Sequence, residues 1–375
     1  MANKNKNLNS AAKAKKDEFY TQRGDIENEL GHYWKHFAGK TVFCNCDDPF
    51  ESQFFYYFAM KFNELKLKKL IVTSYRGSPV QGNLFNPAPD NRKPVYKVEI
   101  NRIDKAPFDW EDVTEMMNEL KAALGKNSSA TVNENTLALL DGDGDFRSKE
   151  CVALLKQADI VVTNPPFSLF RQFVKLLVDN DKKFLIVGNV NAITYKEIFP
   201  LIMQNKLWLG YGFKGMVGFF TSPYEDVAAS SQHRDGMIRN SGVHWFTNLE
   251  HDKRNRKIHL TSSYEETPEK FPRYDNYDAI EVSKTLDIPE DYFDVMGVPI
   301  TFLDKYCPDQ FEILGMTENL DLYGLKTRVY TAQECREQYF KLFGKPGTYD
   351  LNAAGVINGK KVYQRILIRR RDYGN

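Results

Sequence analysis

The chain has 375 residues, of which 42% are hydrophobic and 27% charged, a composition that excludes whole-chain disorder, collagen-like repeats and coiled coils. No apolar run reaches the roughly 18–20 residues that cross a bilayer, and the polar N-terminus lacks the apolar core of a secretory signal. Five scattered cysteines give no disulfide framework, so we expect a cytoplasmic protein with room for two domains.

The charge is unevenly distributed. Residues 1–16 contain five lysines and no acidic residue, so the net charge of +1 leaves −4 for the rest of the chain. We interpret this segment as a basic flexible tail. Two interpretations of it stay open: a solvated terminus, or an arm that contacts phosphates.

The chain after the tail alternates helix-like and strand-like segments. Residues 17–37 are acidic and helix-prone, and the run TVFCNC at 41–46 is typical of a buried strand. Asp48 as N-cap and Pro49 at the first helical position predict a helix that continues to about Leu65. The phenylalanines of this helix recur at helical spacing and are expected in the core: Phe50, Phe54, Phe55, Phe58 and Phe62.

The alternation continues to residue 189. We expect strands at 68–75, 95–100, 158–163 and 182–189, and helices at 110–124, 148–157 and 168–180. This order predicts a doubly wound α/β sheet of parallel strands, in which ligands bind beyond the C-terminal strand ends. The loops that follow Cys46, Tyr75, Asp145 and Thr163 are therefore expected to line one crevice.

The residue pattern of the sequence changes beyond residue 206. A glycine-punctuated, β-prone run leads to a predicted strand at 244–249, and the sequence from 256 is aromatic-rich and irregular. We therefore divide the chain into the tail at 1–16, a first domain at 17–255 and a C-terminal region at 256–375.

The sharpest motif is Asn164-Pro165-Pro166-Phe167, directly after an apolar strand. Two prolines stiffen the backbone, and Phe167 offers an aromatic face on which a planar ring can stack. The amine of such a ring can donate to the Asn164 side chain and to the Pro165 carbonyl. These acceptors draw the amine out of conjugation and leave its lone pair available to an electrophilic methyl group. A strand-terminating turn without chemistry is the alternative, because Asn-Pro pairs are common in loops.

ADIVVTNPPF resembles the catalytic loop of S-adenosylmethionine-dependent methyltransferases that modify exocyclic amino groups. In chain order, DEFYTQ, CNCDDP, GDGDFRS, NPPFSLF, KKFLIVGN with NAITYKEIF, and MGVPITFLDKY together resemble the EcoRI-type adenine-N6 DNA methyltransferases. The resemblance runs from about Asp17 to the C-terminus. It implies a Rossmann-like methyltransferase domain at 17–255 and a target-recognition region at 256–375.

The resemblance also implies roles for individual residues. Asn164, Pro165, Pro166 and Phe167 would form the catalytic loop that holds and activates a flipped adenine. The remaining implied positions would bind S-adenosyl-L-methionine, with Asn164 also beside the cofactor: Phe19, Tyr20, Thr21, Cys44, Asn45, Asp47, Asp48, Asp145 and Phe146. Within this set, Asp145 would accept from the exocyclic amine of the cofactor's adenine.

The first cofactor loop departs from the wider methyltransferase pattern. Most members have a glycine-rich loop there, whereas CNCDDP contains no glycine. Asp47 or Asp48 could pair with the cofactor's ammonium group, and either one could instead be a helix cap. The second strand also lacks the acidic residue expected to hold the ribose; Tyr75 is a guess for that role.

We do not predict a metal site. Asp141, Asp143 and Asp145 have the spacing of a calcium loop, but Phe146 and Val152 occupy the positions that need Gly and Glu. Cys44 and Cys46, with His32 and His36 nearby, are a weak zinc pattern. Two basic clusters in the C-terminal part are expected to contact mainly phosphates: Lys253, Arg254, Arg256 and Lys257, and Lys360, Lys361, Arg365, Arg369, Arg370 and Arg371.

These observations predict a site-specific adenine-N6 methyltransferase of double-stranded DNA, the modification enzyme of a restriction–modification pair. Adenine inside a duplex cannot reach a cofactor pocket, so the target base must be flipped out of the helix. We expect a monomer whose cognate endonuclease, if any, is a separate protein. The alternatives are a related methyltransferase acting on RNA or on a glutamine amide, and a catalytically silent DNA-binding relative.

Overall fold

The computed structural model describes residues 20–75, 94–213, 217–221, 233–234 and 237–371. Its helices are Arg23–Leu30 (α1), Gln53–Met60 (α2), Trp110–Leu124 (α3), Lys149–Gln157 (α4), Phe170–Asp179 (α5), Phe199–Met203 (α6) and Ala332–Phe343 (α7). None of the helices in these ranges is long and apolar enough to cross a bilayer.

The strands of the first part of the chain are Tyr20–Thr21 (β1), Thr41–Asn45 (β2), Lys69–Thr73 (β3), Tyr96–Ile100 (β4), Ser129–Val132 (β5), Asn135–Leu139 (β6), Ile160–Thr163 (β7), Lys183–Asn189 (β8), Trp208–Leu209 (β9), Val217–Thr221 (β10), His233–Arg234 (β11), Met237–Ser241 (β12) and Val243–Thr247 (β13). Those of the second part are Ile280–Glu281 (β14), Met296–Pro299 (β15), Phe311–Met316 (β16), Val356–Ile357 (β17), Lys360–Lys361 (β18) and Arg365–Arg370 (β19).

Within the described residues, nine strands form the main sheet in the order β5-β6-β4-β3-β2-β7-β8-β13-β9. The four central strands, β3, β2, β7 and β8, are parallel, with Cys44 opposite Val72 and Val161 opposite Phe184. The strands on both sides of this centre pair antiparallel. The predicted α/β class is therefore confirmed, but the sheet is mixed, not parallel throughout.

A hairpin that is absent from the strands predicted from the sequence forms one edge of this sheet. β5 and β6 pair with Val132 opposite Asn135 across a two-residue turn. Both turn residues, Asn133 and Glu134, have left-handed φ angles of 47° and 67°, as a tight hairpin turn requires. Glutamate is an unusual residue for this turn, which is why the sequence signal for the hairpin is weak.

The aromatic helix α2 lies inside the core. The residues from Phe54 to Ala59 are all buried, and Phe55 and Phe58 are completely inaccessible. A helix that is apolar on all sides can be stable only when neighbours cover it, here α1 and α3 as well as the sheet. The prediction that the phenylalanine stripe belongs to the core is confirmed for Phe54, Phe55, Phe58 and Phe62, whereas Phe50 is half-buried at the edge of the core.

Two predicted helices are shorter in the structure. The helix expected from Pro49 begins at Gln53, because Ser52, not Asp48, caps it by accepting from the N–H groups of Phe54 and Phe55. Asp48 instead closes a tight turn through Phe50 N. The helix expected over 17–37 is confined to α1, followed by a single 3-10 turn at Trp34–His36.

The chain divides into two compact units, one made of residues 1–200 and 207–250 and the other of 201–206 and 251–375. The sequence placed the domain boundary near 255. In the first unit a smaller antiparallel sheet has the order β1-β10-β12-β11.

The second unit has its own four-stranded sheet, β14-β15-β19-β16, among the described residues. A buried ion pair crosses this sheet: the Arg365 guanidinium donates to both carboxylate oxygens of Glu281, which also accepts from the Tyr274 hydroxyl. Only 11% of the Arg365 side chain and 6% of the Glu281 side chain are exposed. A buried pair of this kind is costly to break, because either partner alone leaves an uncompensated charge.

The loop after β6 packs directly against the end of β3. β6 is antiparallel to β4 and β4 to β3, so β6 runs in the same direction as β3 and ends at the same edge of the sheet. Gly144 in this loop has a φ of +75°, and a Cβ atom there would lie 2.0 Å from the Ser74 carbonyl oxygen. Only glycine allows this approach.

We expect Gly144→Ala to lower the free energy of unfolding by at least about 2 kcal/mol more than Gly39→Ala, as overpacking typically does. Gly39 is the matched control, because its φ of +71° is similar and a Cβ atom there would meet no other atom within 4 Å. Urea denaturation of both variants measures the difference. Equal losses would mean that the contact with Ser74 is not close in solution.

Candidate active site

Of the loops predicted to line one crevice, the one after Tyr75 lies outside the described residues, and the others meet the end of β3 at one edge of the main sheet. The N–H of Asp47, after β2, donates to the carbonyl of Thr73 at the end of β3, at 3.0 Å. The Thr163 hydroxyl, at the end of β7, contacts the Asn45 carbonyl and Asp47 Oδ2. The loop after β6 joins them through Gly144. The ends of four strands therefore converge, as parallel topology requires.

The Asn-Pro-Pro-Phe loop leaves β7 at the centre of this edge. Asn164 and Phe167 are half-buried, and both prolines are buried. The Pro166 carbonyl accepts from Leu169 N at 2.9 Å, which starts the turn that leads into α5. The Pro165 carbonyl accepts no hydrogen bond from the described residues. The backbone acceptor that the motif predicts is thus available.

The Asn164 side chain contacts a predicted cofactor residue from the start of the chain. Asn164 Nδ2 donates to Thr21 Oγ1 at 3.3 Å, and Thr21 is 3% exposed. Phe19 lies outside the described residues, and Tyr20 is described only through its backbone pairing with Thr221 in β10. The structure therefore brings Thr21 and the predicted catalytic loop together.

Asp47 lies in a buried hydrogen-bond network behind the catalytic loop. Its Oδ1 accepts from Ser52 Oγ at 2.8 Å, and its Oδ2 lies 2.6 Å from Thr163 Oγ1. Burial, with a smaller contribution from the charge of Asp48, raises the pKa of Asp47 to about 7, against the lowering effect of the two hydroxyl groups. Ser52 and Thr163 were not singled out from the sequence.

The distances in this network fit Asp47 in its neutral form, which its raised pKa of about 7 makes accessible near neutral pH. The Thr163 hydroxyl has one proton, yet it lies within hydrogen-bond distance of two oxygens, the Asn45 carbonyl and Asp47 Oδ2. A carbonyl cannot donate, so the single Thr163 proton is shared between the two acceptors unless Asp47 is protonated. Protonated Asp47 would donate to Thr163, which would donate to Asn45.

Asp48 differs from its neighbour in having an unused oxygen. Its Oδ1 accepts from Phe50 N at 2.9 Å, whereas Oδ2 accepts no hydrogen bond from the described residues. Asp48 is 6% exposed, and burial raises its pKa, while the Phe50 N–H and the charge of Lys121 lower it. Of the two aspartates, Asp48 is therefore the one able to accept from a further cation.

The glycine-free loop adopts the backbone shape that glycine normally provides. Cys46 has a φ of 66°, in the left-handed region that favours glycine. Cys44 is completely buried in β2, and Asn45 is 1% exposed with its Oδ1 accepting from Thr73 Oγ1 at 3.1 Å. The side chains of Cys44 and Asn45 thus belong to the interior, and Cys46 is the half-buried residue at the turn.

Asp145 and Phe146 are placed differently from one another. The carboxylate of Asp145 accepts from the backbone N–H and from Nε and Nη2 of Arg147, and its side chain is 16% exposed. The Phe146 ring is buried, at a centroid distance of 5.0 Å from Phe173, so it does not offer a face to a ligand. Its backbone N–H donates to no described residue. Arg147, which was not singled out from the sequence, also donates to Gln172 in α5.

The metal patterns weighed from the sequence do not assemble. His32 stacks on Tyr211 with a centroid distance of 3.4 Å, and His36 Nε2 lies 2.8 Å from the Glu250 carbonyl. In the described ranges, no three His, Cys, Asp or Glu side chains group as metal ligands.

The C-terminal basic clusters are only partly at the surface. Arg365 is the buried partner of Glu281, so the structure removes it from the expected phosphate contacts. Lys253 pairs with Asp304, and Arg369 with Glu312. The exposed basic residues of the two clusters are Arg256, Lys257, Lys360, Arg369 and Arg371.

Comparison with known proteins gives one family and several relatives. The family model described as adenine-specific methyltransferase EcoRI matches residues 7–371. The type II methyltransferase M.EcoRI of Escherichia coli is 43% identical over 322 residues, which are 84% of this chain and 91% of the relative. M.MgeORF184P of Mycoplasma genitalium is 35% identical over 373 residues, and M.MpnI of Mycoplasma pneumoniae is 33% identical over 372. Each alignment with a Mycoplasma protein covers 97% of this chain and 98% of the relative. No solved structure matches the chain at a significant level.

We expect Asp47→Asn to become progressively more stable than the wild type as the pH rises. Asn can donate to Thr163 and accept from Ser52, as the neutral acid does, but it never ionises. The stability contributed by protonated Asp47 is complete below its unfolded pKa near 4 and is lost as the pH rises toward its folded pKa of about 7. The difference in free energy of unfolding should grow by about 2–3 kcal/mol between pH 5 and pH 8.

Urea denaturation at several pH values measures this difference, with Asp309→Asn as the control for losing an exposed carboxylate. A difference that stays constant with pH would mean that Asp47 does not titrate in this range.

Proposed function

This chain belongs to the EcoRI family of adenine-specific methyltransferases, and we therefore propose that it methylates N6 of a flipped adenine in double-stranded DNA. The family resemblance drawn from the sequence is confirmed. The observation that carries the proposal is the Asn-Pro-Pro-Phe loop, whose Pro165 carbonyl and Asn164 amide lie at the edge where the strand ends converge. The adenine specificity of the family does not favour a glutamine amide as substrate.

We propose S-adenosyl-L-methionine as the cofactor, and the residues at this edge fit it. Asp48 Oδ2 is an acceptor without a partner in the described chain, suited to an ammonium group. The Phe146 N–H is a donor without a partner there, suited to a ring nitrogen, and Asp145 beside it can accept from an exocyclic amine. When bound, S-adenosyl-L-methionine supplies an electrophilic methyl group.

The protein's part in the reaction is to prepare the target amine. The Asn164 amide oxygen and the Pro165 carbonyl accept the two N–H groups of the adenine amine and draw it out of conjugation with the ring. Phe167 stacks on the ring and keeps its plane fixed, while the two prolines hold the backbone rigid. The nitrogen lone pair is then available for methylation. Proton loss can follow the transfer, so no strong general base is required.

We assign the methyltransferase role to residues 17–255 and target recognition to 256–375. Exposed basic residues of the second unit, such as Arg256 and Lys360, would contact phosphates and position the duplex. We further propose that the enzyme acts as a monomer in the cytoplasm. It would protect the sites of a separate restriction endonuclease.

We expect Asn164→Ala to lower the methylation rate at least about a hundredfold, the effect of removing one preorganised polar group from an active site. Cofactor affinity, measured by calorimetry, should change by no more than a few-fold. The rate is measured by sequencing unmethylated genomic DNA with modified-base detection after incubation with protein and cofactor.

Asn180→Ala is the matched control, because Asn180 caps the far end of α5 through the Leu176 carbonyl. It should modify the same short motif as the wild type. Full activity of the Asn164 variant would refute the proposed role of the loop.

We expect deletion of residues 1–14 to weaken DNA binding and to flatten its dependence on salt. The deletion removes Lys4, Lys6 and Lys13, so the slope of log K against log salt should fall by up to about 3 if all three neutralise phosphates. The full-length protein with these three lysines changed to Gln isolates charge from length. An unchanged slope in both proteins would mean that the tail lysines do not contact DNA phosphates.

A further inference from the structure

Thr21 is held rigidly in front of the catalytic loop. Its backbone pairs antiparallel with Phe220 of β10, and α1 begins two residues later at Arg23. The side chain is 3% exposed. The Thr21 hydroxyl oxygen is therefore a fixed acceptor that reaches the Asn164 amide from a distant part of the chain, 143 residues away in sequence.

The backbone of Asn164 is fixed from the opposite side. Thr163 is anchored to β2 through the Asn45 carbonyl and Asp47, and Pro165 restricts the residue that follows. With its backbone fixed, the remaining freedom of Asn164 lies in its two side-chain torsions, of which χ2 rotates the amide group. The two ends of this group are similar in shape but opposite in hydrogen-bonding character, since the oxygen accepts and the nitrogen donates.

We propose that Thr21 is a positioning residue that selects the reactive orientation of the Asn164 amide. The N–H donor of the amide is bound to Thr21 Oγ1 at 3.3 Å, so the Asn164 oxygen is turned to the other side of the group. An adenine amine can donate only to that oxygen; in the flipped orientation it would meet the amide N–H groups. This inference rests on the proposed role of Asn164 in accepting from the target amine.

Kinetics can distinguish a positioning role of Thr21 from an ordinary cofactor contact. Replacing a side chain that only binds the cofactor raises the cofactor's dissociation constant, and a saturating cofactor concentration then restores the rate. A side chain that only orients Asn164 affects the rate at saturation and leaves binding unchanged.

The test compares Thr21→Val, which keeps the shape and removes the acceptor, with Thr21→Ser, which keeps the hydroxyl. At saturating DNA and S-adenosyl-L-methionine, Thr21→Val should lower kcat at least about tenfold. Its KM for DNA and its calorimetric Kd for the cofactor should stay within about twofold of the wild type. Thr21→Ser should restore most of the lost rate.

Thr41→Val is the matched control, because Thr41 is also buried, at 5% exposure, but lies at the opposite end of β2 from the site. It reports the cost of replacing a buried Thr by Val, and its kcat should equal that of the wild type. Thermal denaturation of all variants checks that they are folded at the assay temperature.

Two results would overturn the proposal. One is a Thr21→Val protein with wild-type kcat and a cofactor Kd raised at least about tenfold, which would make Thr21 a cofactor ligand. The other is a Thr21→Ser protein as slow as Thr21→Val, which would assign the effect to shape and not to the hydroxyl. Failure of the underlying function is distinguished by Asn164→Ala, which would then remain active whatever the Thr21 variants do.

Discussion

The arrangement of the proposed active site depends on one buried hydroxyl group. Thr163 is the last residue of β7 and the residue before Asn164, and its Oγ1 bonds to the Asn45 carbonyl and to Asp47. It therefore joins the start of the proposed catalytic loop to the loop after β2, for which a cofactor-binding role is proposed. Because the network is closed to water, each of its polar groups must be satisfied within the protein, which fixes their mutual positions. Ser52 extends the same network to the start of α2, since it both donates to Asp47 and caps the helix.

The mixed topology of the sheet brings the loop after β6 to this site. Two antiparallel reversals, from β3 to β4 and from β4 to β6, return β6 to the direction of β3. The loop that contains Asp145 and Phe146 therefore emerges at the same edge as the loops of the parallel strands. Gly144 lets this loop touch Ser74, and Arg147 joins it to α5 through Gln172. A site of this kind does not need every strand to be parallel, only the right strand ends to share one edge.

The loop after β2 has no glycine, but it keeps the backbone conformation of a glycine-containing loop. Glycine-rich cofactor loops use residues with positive φ, and here Cys46 adopts that conformation at 66°. For a residue other than glycine the left-handed region costs about 1–2 kcal/mol, so the surrounding contacts must hold it there. The Asp47 N–H bond to Thr73 and the Asn45 bond to Thr73 Oγ1 flank Cys46 on both sides. The loop thus keeps a positive φ angle at this position without a glycine.

Local sequence was sufficient to predict the α/β class, six of the nine strands of the main sheet, most helix positions, the core role of most of the phenylalanine stripe, and the family. These features depend on local periodicity and on contiguous motifs, which a linear chain displays directly. The β5–β6 hairpin, whose turn uses Glu134, could not be predicted in this way, nor could the start of α2, where Ser52 competes with Asp48 as the cap. Sequence also did not distinguish buried Arg365 from its exposed neighbours in a basic run, or show that the Phe146 ring faces the core.

The contacts of Thr163 with Asp47 and of Thr21 with Asn164 became visible only in the folded chain, because each joins residues more than a hundred positions apart. Such pairings follow from strand order and close packing, which no local pattern encodes.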